Sequence, residues 1–476
     1  MESILFKSTK IVINNDEKWQ NNLQAGILKS NGRDNLFLIF LRFNYDVIQD
    51  VKKILSKVNI TSAIEQSKQT QSNVNNLTVT NIYLSYKGYH ALQISIKKEN
   101  CQAFVQGMSE RMEENEDGKK VHMLNDEPEK WEEVFQSDIH AVLSLANDDI
   151  QVLKKEVASY KKIFKGRIEI IAEEKGKVYR NKYNRPIEHF GYVDGISQPI
   201  FIKKDFDDID TTNWNPEAPL ELVLVNDIGT NEVDCLGSYM VFRKLEQNVK
   251  GFKEAEKSLA EDLHFTGSSE EAAGAMVIGR FENGLPAIKF GSTASPNEDK
   301  IDNNFNYSFD PEGSRCPFHS HIRKVNPRGD NSRLFGITEA EERSHRIVRR
   351  GITYGERNQD TNKEFKENDK PANKVGLLFI CFQSNIENQF EFIQRTWANN
   401  NDFPVPFTGI DPVIGQGENR TYSKKKYLEQ PWKKSNGSKL AKSFSSFVTN
   451  KGGEYFFAPS IPFFKSLTTN NLSLSN

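Results

Sequence analysis

The sequence has few cysteines, no long apolar run and almost no net charge. Its four cysteines, Cys101, Cys235, Cys316 and Cys381, lie far apart and form no paired motif. Cysteines this sparse are typical of reduced thiols in an intracellular protein rather than of a disulfide framework. The formal charge of -2 comes from 63 basic and 65 acidic residues, so no bulk field favours nucleic acid or an anionic membrane as a partner.

The apolar runs are also too short to cross a membrane. The two most apolar, residues 36–41 and 375–382, fall far below the roughly 20 residues that a spanning helix needs. The first residues, Met-Glu-Ser-Ile-Leu-Phe-Lys, lack the basic start and the apolar stretch of a secretory signal. We therefore expect a cytoplasmic protein, whose 476 residues are enough for two or three domains with buried cores.

What the chain does contain is 32 Phe and several segments of clear periodicity. Short apolar segments predict buried strands at residues 35–43, 78–86, 139–145, 167–172, 237–243 and 375–383, and a weaker pattern predicts another at 89–96. Apolar residues at helical spacing predict helices at 46–57, 150–164, 246–263 and 385–397. Strands and helices are mixed without a regular βαβ repeat, which predicts an α+β fold. A stretch rich in Asp, Thr, Asn and Pro at 204–216 indicates a linker between two units.

The most unusual stretch is residues 315–328, Arg-Cys-Pro-Phe-His-Ser-His-Ile-Arg-Lys-Val-Asn-Pro-Arg. It concentrates two His, one Cys, three Arg and one Lys in a protein that has eight His in all. Histidine nitrogen binds metals or haem iron, and guanidinium groups pair with carboxylates such as haem propionates. From composition alone, a basic loop with ordinary histidines is an equal alternative. A weaker one is a metal site made of Cys316, His319 and His321, which lacks a fourth nearby ligand.

Two further motifs contain residues suited to catalysis. In residues 189–199, glycines flank Asp194, whose carboxylate could act as a positioned acid or base or belong to an ordinary Asp-Gly turn. In residues 346–355, an arginine close to a glycine could place a fixed positive charge beside developing negative charge, or lie on the surface of a strand. Only one of Arg349 and Arg350 can point inward if this segment is a strand, because side chains alternate between its faces.

Three motifs occur in a set order along the chain: Gly191-x-x-Asp194-Gly195, then His321 within Cys-Pro-Phe-x-x-His-Ile-Arg-Lys-x-Asn-Pro-Arg, then Arg349 within Ile-x-Arg-x-Gly-Ile-x-Tyr-Gly. Jointly they resemble the dye-decolorizing peroxidase family. Similar segments at 24–29, 376–383 and 452–460 extend the resemblance over almost the whole chain, which is most like the longer members.

This resemblance implies a fold and a cofactor. The fold is α+β, with two ferredoxin-like halves built from antiparallel sheets with peripheral helices. We place an N-terminal domain at residues 1–203 and a C-terminal domain at 217–476. The cofactor is haem b (iron protoporphyrin IX), bound in the C-terminal half and covered by the Gly-x-x-Asp-Gly loop of the N-terminal half.

The resemblance also implies roles for individual residues. His321 is the axial iron ligand, while Asp194 is the acid–base group and Arg349 the cation on the other haem face. Further residues expected around the cofactor are Gly191, Gly195, Leu377 and Phe379 near the distal side, and Glu391 as the carboxylate that supports His321. Arg323 and Arg328 could hold the haem propionates, and a solvated face explains these two arginines equally well.

The expected function is that of a haem peroxidase. Such an enzyme reduces hydrogen peroxide and oxidises dyes, phenols or other aromatic donors by one-electron steps. Bulky donors would be oxidised through tyrosine or tryptophan radicals at the surface. The alternative is a haem carrier or iron-release protein without significant turnover. Neither nucleic acid nor membrane is expected as a partner, and a homo-oligomer is left open.

Overall fold

A computed structural model describes residues 18–72, 77–96, 101–115, 118–207, 209–232, 234–265, 269–291, 301–358, 360–361, 366, 369–416, 430–433, 437–444 and 447–469. The amino-terminal segment 1–7, on which the expectation about a secretory signal rests, lies outside the described residues.

The first half of the chain forms a four-stranded antiparallel sheet. Its strands are β1 (Asn35–Phe43), β2 (Val79–Leu84), β3 (Ala141–Asn147) and β4 (Ile168–Lys177). They pair in the order β4-β1-β3-β2, and helices lie between β1 and β2 and between β3 and β4. This order and these connections are those of a ferredoxin-like fold. Because both faces of β1 and β3 are covered, their sequences are apolar almost throughout.

The second half repeats the same arrangement. Its strands are β5 (Leu236–Gln247), β6 (Ile352–Tyr354), β7 (Gly376–Gln383) and β8 (Val448–Ala458). They pair in the order β8-β5-β7-β6, which corresponds strand for strand to the order of the first half. The chain therefore contains two ferredoxin-like sheets of equal strand number and order.

The two sheets join at both edges and close into an eight-stranded barrel. Strand β8 meets β2 where Phe457 lies opposite Leu84, and β6 meets β4 where Tyr354 lies opposite Gly176. A Cβ atom at Gly176 would lie 2.3 Å from Ile352 Cγ2, so glycine permits this second junction. One continuous apolar core with contributions from both halves fills the interface between the sheets and their helices.

Short strands extend or flank this barrel. Val348–Arg349 pairs with β7, and Val225–Asn226 pairs with β5. The described residues also form three separate two-stranded sheets: Met112–Glu114 with Lys120–His122, Tyr179–Arg180 with Pro186–Ile187, and Gln430–Lys433 with Lys439–Lys442.

The helices pack around the barrel, and their capping residues explain where several begin. The longest, Ile150–Phe164, begins at Asp149, whose side chain accepts hydrogen bonds from the amides of Gln151 and Val152. The others are Ile48–Leu55, Ala63–Ser72, Tyr86–Ala91, Gln102–Gln106, Val249–Asp262, Ser269–Ile278, Ala287–Phe290, His321–Val325, Asp330–Phe335, Glu339–Ser344 and Ile461–Ser466, with π-helical turns at Glu387–Glu391 and Ile393–Ala398.

Most predicted elements are confirmed, and one is wrong. Residues 89–96, predicted as a strand, do not form one: residues 89–91 belong to the helix Tyr86–Ala91, and the rest are turn and irregular structure. The helix begins where the Ser85 side chain accepts the amide hydrogen of Gly88. A Cβ atom at Gly88 would lie 1.9 Å from the backbone oxygen of His140, so glycine lets this helix pack directly on the neighbouring chain. Within the described ranges, no helix combines the length and apolar composition that a membrane span requires.

Candidate active site

A cavity of about 260 Å³ lies between the second sheet and the segments that cover it. Asp194 reaches it from the first motif, His321 from its short helix, Arg349 from the strand Val348–Arg349, and Leu377 from β7. Four sequence segments that are up to 183 residues apart, from Asp194 to Leu377, therefore meet around one space. The strands and the helix place polar groups and apolar walls together, as ligand sites require.

His321 is held in place by a carboxylate. Its Nδ1 lies 2.9 Å from Oδ2 of Asp411, a side chain with no solvent exposure. The other oxygen of Asp411 accepts hydrogen bonds from the amides of Val413 and Ile414. Burial opposes ionisation of Asp411, but the interaction with His321 and the hydrogen bonds of these two amides outweigh it and lower the pKa of the carboxyl. Since a carboxylate only accepts, Nδ1 carries the proton and Nε2 keeps its lone pair for a metal.

The prediction that Glu391 supports His321 is wrong. Both carboxylate oxygens of Glu391 bind Arg111, at 2.7 Å from Nε and 2.6 Å from Nη2, and one of them also accepts the hydroxyl of Tyr455 at 2.8 Å. The π-helical turn that ends at Glu391 thus presents its carboxylate to the first half of the chain. Asp411 was missed because it lies 411 − 321 = 90 residues after His321 and in no recognised motif.

Asp194 and Arg349 form an ion pair at the cavity. Nη1 of Arg349 lies 3.0 Å from Oδ1 of Asp194, and the two side chains are 34% and 32% exposed. Nη2 of Arg349 also donates to the backbone oxygen of Ile196 at 2.8 Å, and its amide donates to Gln198. These contacts fix the guanidinium beside the carboxylate. The structure therefore brings together the acid and the cation that the sequence motifs singled out.

The remaining distal residues differ in how they relate to the cavity. Leu377 and Phe379, two apart on β7, both line it. Gly191 and Gly195 do not belong to its wall, but their φ angles of 108° and 83° are in the region that favours glycine. The two glycines therefore allow the backbone conformation of the loop that carries Asp194, rather than contacting a ligand in the cavity.

The prediction that Arg323 contacts haem propionates is wrong. Its guanidinium is completely buried and binds two carboxylates, Asp330 at 2.7 Å and Asp310 at 3.0 Å. These two aspartates already neutralise its charge, and Arg323 does not line the cavity. It stabilises the fold around the His321 helix.

Three other arginines supply positive charge at the cavity wall: Arg280, Arg328 and Arg346. Burial lowers the pKa of Arg280 to about 10 and that of the other two to about 9. Among the described residues, no carboxylate forms an ion pair with any of the three. Arg328, for example, donates to Ser197 and to the backbone and side chain of Asn303. Buried cations without counter-charges suit an anionic ligand.

The alternative metal ligands do not face the cavity. His319 is buried against Trp432, with ring centroids 4.2 Å apart, and burial lowers its pKa to about 3. Cys316 is buried and contacts the hydroxyl of Ser320 at 3.0 Å. Over the part of the chain that the structure describes, no group of three or more His, Cys, Asp or Glu is arranged to hold a metal ion.

The residues present therefore fit a haem. One imidazole with a free Nε2, apolar walls, and buried arginines without carboxylate partners match an iron porphyrin that carries propionates. Among the described residues of the wall there is no cysteine.

Comparisons with known proteins agree with this geometry. Residues 22–180 match the DyP dimeric alpha+beta barrel domain, and residues 205–407 match the Dyp-type peroxidase C-terminal domain. The multifunctional dye peroxidase DyP2 of Amycolatopsis sp. is 39% identical over 94% of this chain and 95% of its own length. Its solved structure superposes with a TM-score of 0.85, over 98% of each chain at 36% identity.

A DyP-type peroxidase of Anabaena sp. is similarly close, with a TM-score of 0.85 and 38% identity over 97% of this chain and 98% of that one. A deferrochelatase of Escherichia coli O157:H7 is 32% identical, but over only 19% of this chain and 16% of its own. The chain therefore belongs to the dye-decolorizing peroxidase family, and it is a haem enzyme that acts on hydrogen peroxide.

Proposed function

We propose that this peroxidase binds haem b through Nε2 of His321, and that Asp194 and Arg349 act on hydrogen peroxide in the same cavity. Dyes, phenols and other aromatic donors then supply the electrons, one at a time. The observation that carries this proposal is the meeting of two pairs at one cavity: His321 with Asp411, and Asp194 with Arg349. The first pair suits iron binding, and the second suits proton transfer.

When bound, the haem would supply the redox chemistry, because its iron and porphyrin can give two electrons to peroxide. The hydrogen bond from Nδ1 of His321 to the buried carboxylate of Asp411 makes Nε2 a more basic ligand and fixes the orientation of the ring. Arg280, Arg328 and Arg346 would pair with the propionates, which supplies the counter-charge that these arginines lack. The absence of cysteine from the described wall favours haem b over a thioether-linked haem.

Asp194 moves a proton between the two oxygens of hydrogen peroxide. A carboxylate oxygen accepts the proton from one oxygen and returns it to the oxygen that leaves as water. Arg349 holds the carboxylate at 3.0 Å and presents a fixed positive charge to the negative charge that develops as the O–O bond breaks. Leu377 and Phe379 limit the water that could compete for this proton.

The test compares Asp194→Asn and Arg349→Leu with the wild-type enzyme. Both variants should keep the haem absorption spectrum and lose peroxidase rate, by about 10²–10⁴-fold for the proton carrier and about 10²–10³-fold for the cation. Asp34→Asn is a matched control. Oδ1 of Asp34 lies 2.6 Å from Nη2 of Arg180, and this similarly exposed ion pair is not part of the cavity wall. Unchanged rates in the first two variants would refute the assigned roles.

We place the domain boundary between residues 203 and 217, and the start of the second matched region at residue 205 supports this placement. Cytoplasmic localisation is supported by the four cysteines, all of which are buried free thiols.

A haem carrier or iron-release function is not favoured, because the likeness to a deferrochelatase covers only 19% of the chain.

A further inference from the structure

Two tyrosines, Tyr192 and Tyr307, belong to the described wall of the cavity, and they differ in one respect. The hydroxyl of Tyr192 donates a short hydrogen bond to Oε1 of Glu256. The hydroxyl of Tyr307 is buried and has no hydrogen-bond partner among the described residues. Both side chains are buried, since Tyr192 is 3% exposed and Tyr307 is 0% exposed. The difference is the presence of a proton acceptor.

The surroundings of Tyr192 are built to hold this pair. Glu256 lies on the helix Val249–Asp262 and is itself 2% exposed. The facing helix carries Gly274, at which a Cβ atom would lie 1.8 Å from the Tyr192 hydroxyl and 1.9 Å from Oε1 of Glu256. Any side chain at position 274 would therefore displace the pair, and glycine leaves the space that it occupies.

A chain of charged groups connects this pair to the surface. Nζ of Lys253 lies 2.7 Å from Oε2 of Glu256 and 2.6 Å from Oε1 of Glu282. The side chain of Glu282 is 39% exposed, whereas that of Lys253 is 10% exposed. Glu256, the proton acceptor of Tyr192, is thus connected through Lys253 to the carboxylate of Glu282, which is in contact with water. The positive charge of Lys253 also compensates the negative charge of Glu256.

We propose that Tyr192 is an internal electron donor of this peroxidase, with Glu256 as the acceptor of its proton. In this step Tyr192 is oxidised by one electron and the haem, previously oxidised by peroxide, is reduced by one electron. The O–H bond of Tyr192 breaks and a new O–H bond forms on Oε1 of Glu256. The products are a neutral phenoxyl radical and a neutral carboxylic acid. When an aromatic donor returns an electron to Tyr192, the proton moves back from Glu256.

The proton acceptor decides which tyrosine can react. Removing an electron from a phenol without removing its proton leaves a positive charge on the ring, and a buried uncompensated charge is strongly unfavourable. Tyr192 avoids this charge, because its proton moves only along an existing hydrogen bond. Tyr307 has no such route within the described structure. The inference rests on the proposed haem site, because the cavity wall that holds Tyr192 also holds His321.

The test is freeze-quench electron paramagnetic resonance of the holoenzyme mixed with one equivalent of hydrogen peroxide, with the haem absorption followed in parallel. We expect a tyrosyl radical in the wild-type enzyme, its loss in Tyr192→Phe, and its retention in the matched control Tyr307→Phe. Glu256→Gln keeps Tyr192 but offers an amide that cannot take the proton, so it should also lose the signal. This second variant decides the question if Tyr192→Phe does not fold.

The outcomes separate this inference from the proposed function. If peroxide changes the haem absorption but the radical is absent from the wild type, or persists undiminished in Tyr192→Phe or Glu256→Gln, the role of Tyr192 is refuted and the peroxidase site is not. If peroxide leaves the haem absorption of the wild type unchanged, the proposed function fails and the inference fails with it.

Discussion

Replacing Asp411 with Asn is expected to weaken haem binding, because it forces His321 into the wrong tautomer. Oδ1 of Asp411 accepts two backbone amides, from Val413 at 2.8 Å and Ile414 at 2.9 Å. In the variant the amide oxygen keeps these two hydrogen bonds, which turns the NH2 group towards Nδ1 of His321. Two donors then face each other unless the imidazole proton moves to Nε2, where it blocks the lone pair that binds iron.

The size of the effect follows from the role of the carboxylate. Partners of a ligating histidine typically contribute about 10–100-fold to metal affinity, or about 1.4–2.8 kcal/mol. A hydrogen bond to a charged group, about 1.5–3 kcal/mol, gives the same range independently. Asp411 is completely buried, so water cannot replace the lost interaction, and we expect the upper part of this range.

The assay is titration of the apoprotein with haem, followed by the intense absorption band of the bound cofactor. Glu391→Gln is the matched control, because it makes the same chemical change at the carboxylate that the sequence suggested as the partner of His321. It should lower thermal stability because Arg111 loses its carboxylate partner, yet leave the haem affinity of the folded protein unchanged. Wild-type affinity in Asp411→Asn, or an equal loss in folded Glu391→Gln, would refute the reasoning.

Two other predictions concern buried groups. Lys324→Met should lower the free energy of unfolding by about 2 kcal/mol or more, since Nζ of Lys324 donates to the backbone oxygens of Asn400, Phe403 and Gly409. Asn400 keeps a hydrogen bond from the amide of Phe403, but the buried oxygens of Phe403 and Gly409 lose their donor, at about 1–3 kcal/mol each. Denaturant unfolding measures this change, and a loss below 1 kcal/mol, about the size of one ordinary hydrogen bond, would contradict it. The tyrosyl radical should also depend on pH, because burial raises the pKa of Glu256 to about 7, while Lys253 opposes this shift and Glu282 adds to it. Protonated Glu256 cannot accept the proton of Tyr192, so radical yield should rise as pH rises through about 7, and a flat or falling yield would count against this dependence.

Local patterns were sufficient to predict most elements of the fold. The helix Ile150–Phe164 was predicted with its observed bounds, because its apolar stripe is a local signal. The strand order β4-β1-β3-β2 and the closure of the barrel depend instead on contacts between residues far apart in the sequence. The junction of Phe457 with Leu84, for example, leaves no trace in local periodicity.

In the candidate site, too, local motifs predicted some residues, whereas others depend on contacts between distant parts of the chain. The motifs identified Asp194, His321 and Arg349, and the structure brings all three to one cavity. Asp411 could not be identified, since an Asp before a Pro reads as a turn and nothing local links it to His321. Arg323 was misassigned for a related reason, because only the fold shows that its guanidinium already has two carboxylate partners.

The absorption spectrum of the purified protein, reconstituted with haem and then mixed with one equivalent of hydrogen peroxide, tests the central claim most directly. For the wild type we predict an intense haem band that changes at once on addition of peroxide, and for His321→Ala a weaker, shifted band that shows loss of the axial ligand. A wild-type protein without a haem band, or a spectrum and peroxide response unchanged in His321→Ala, would contradict the account.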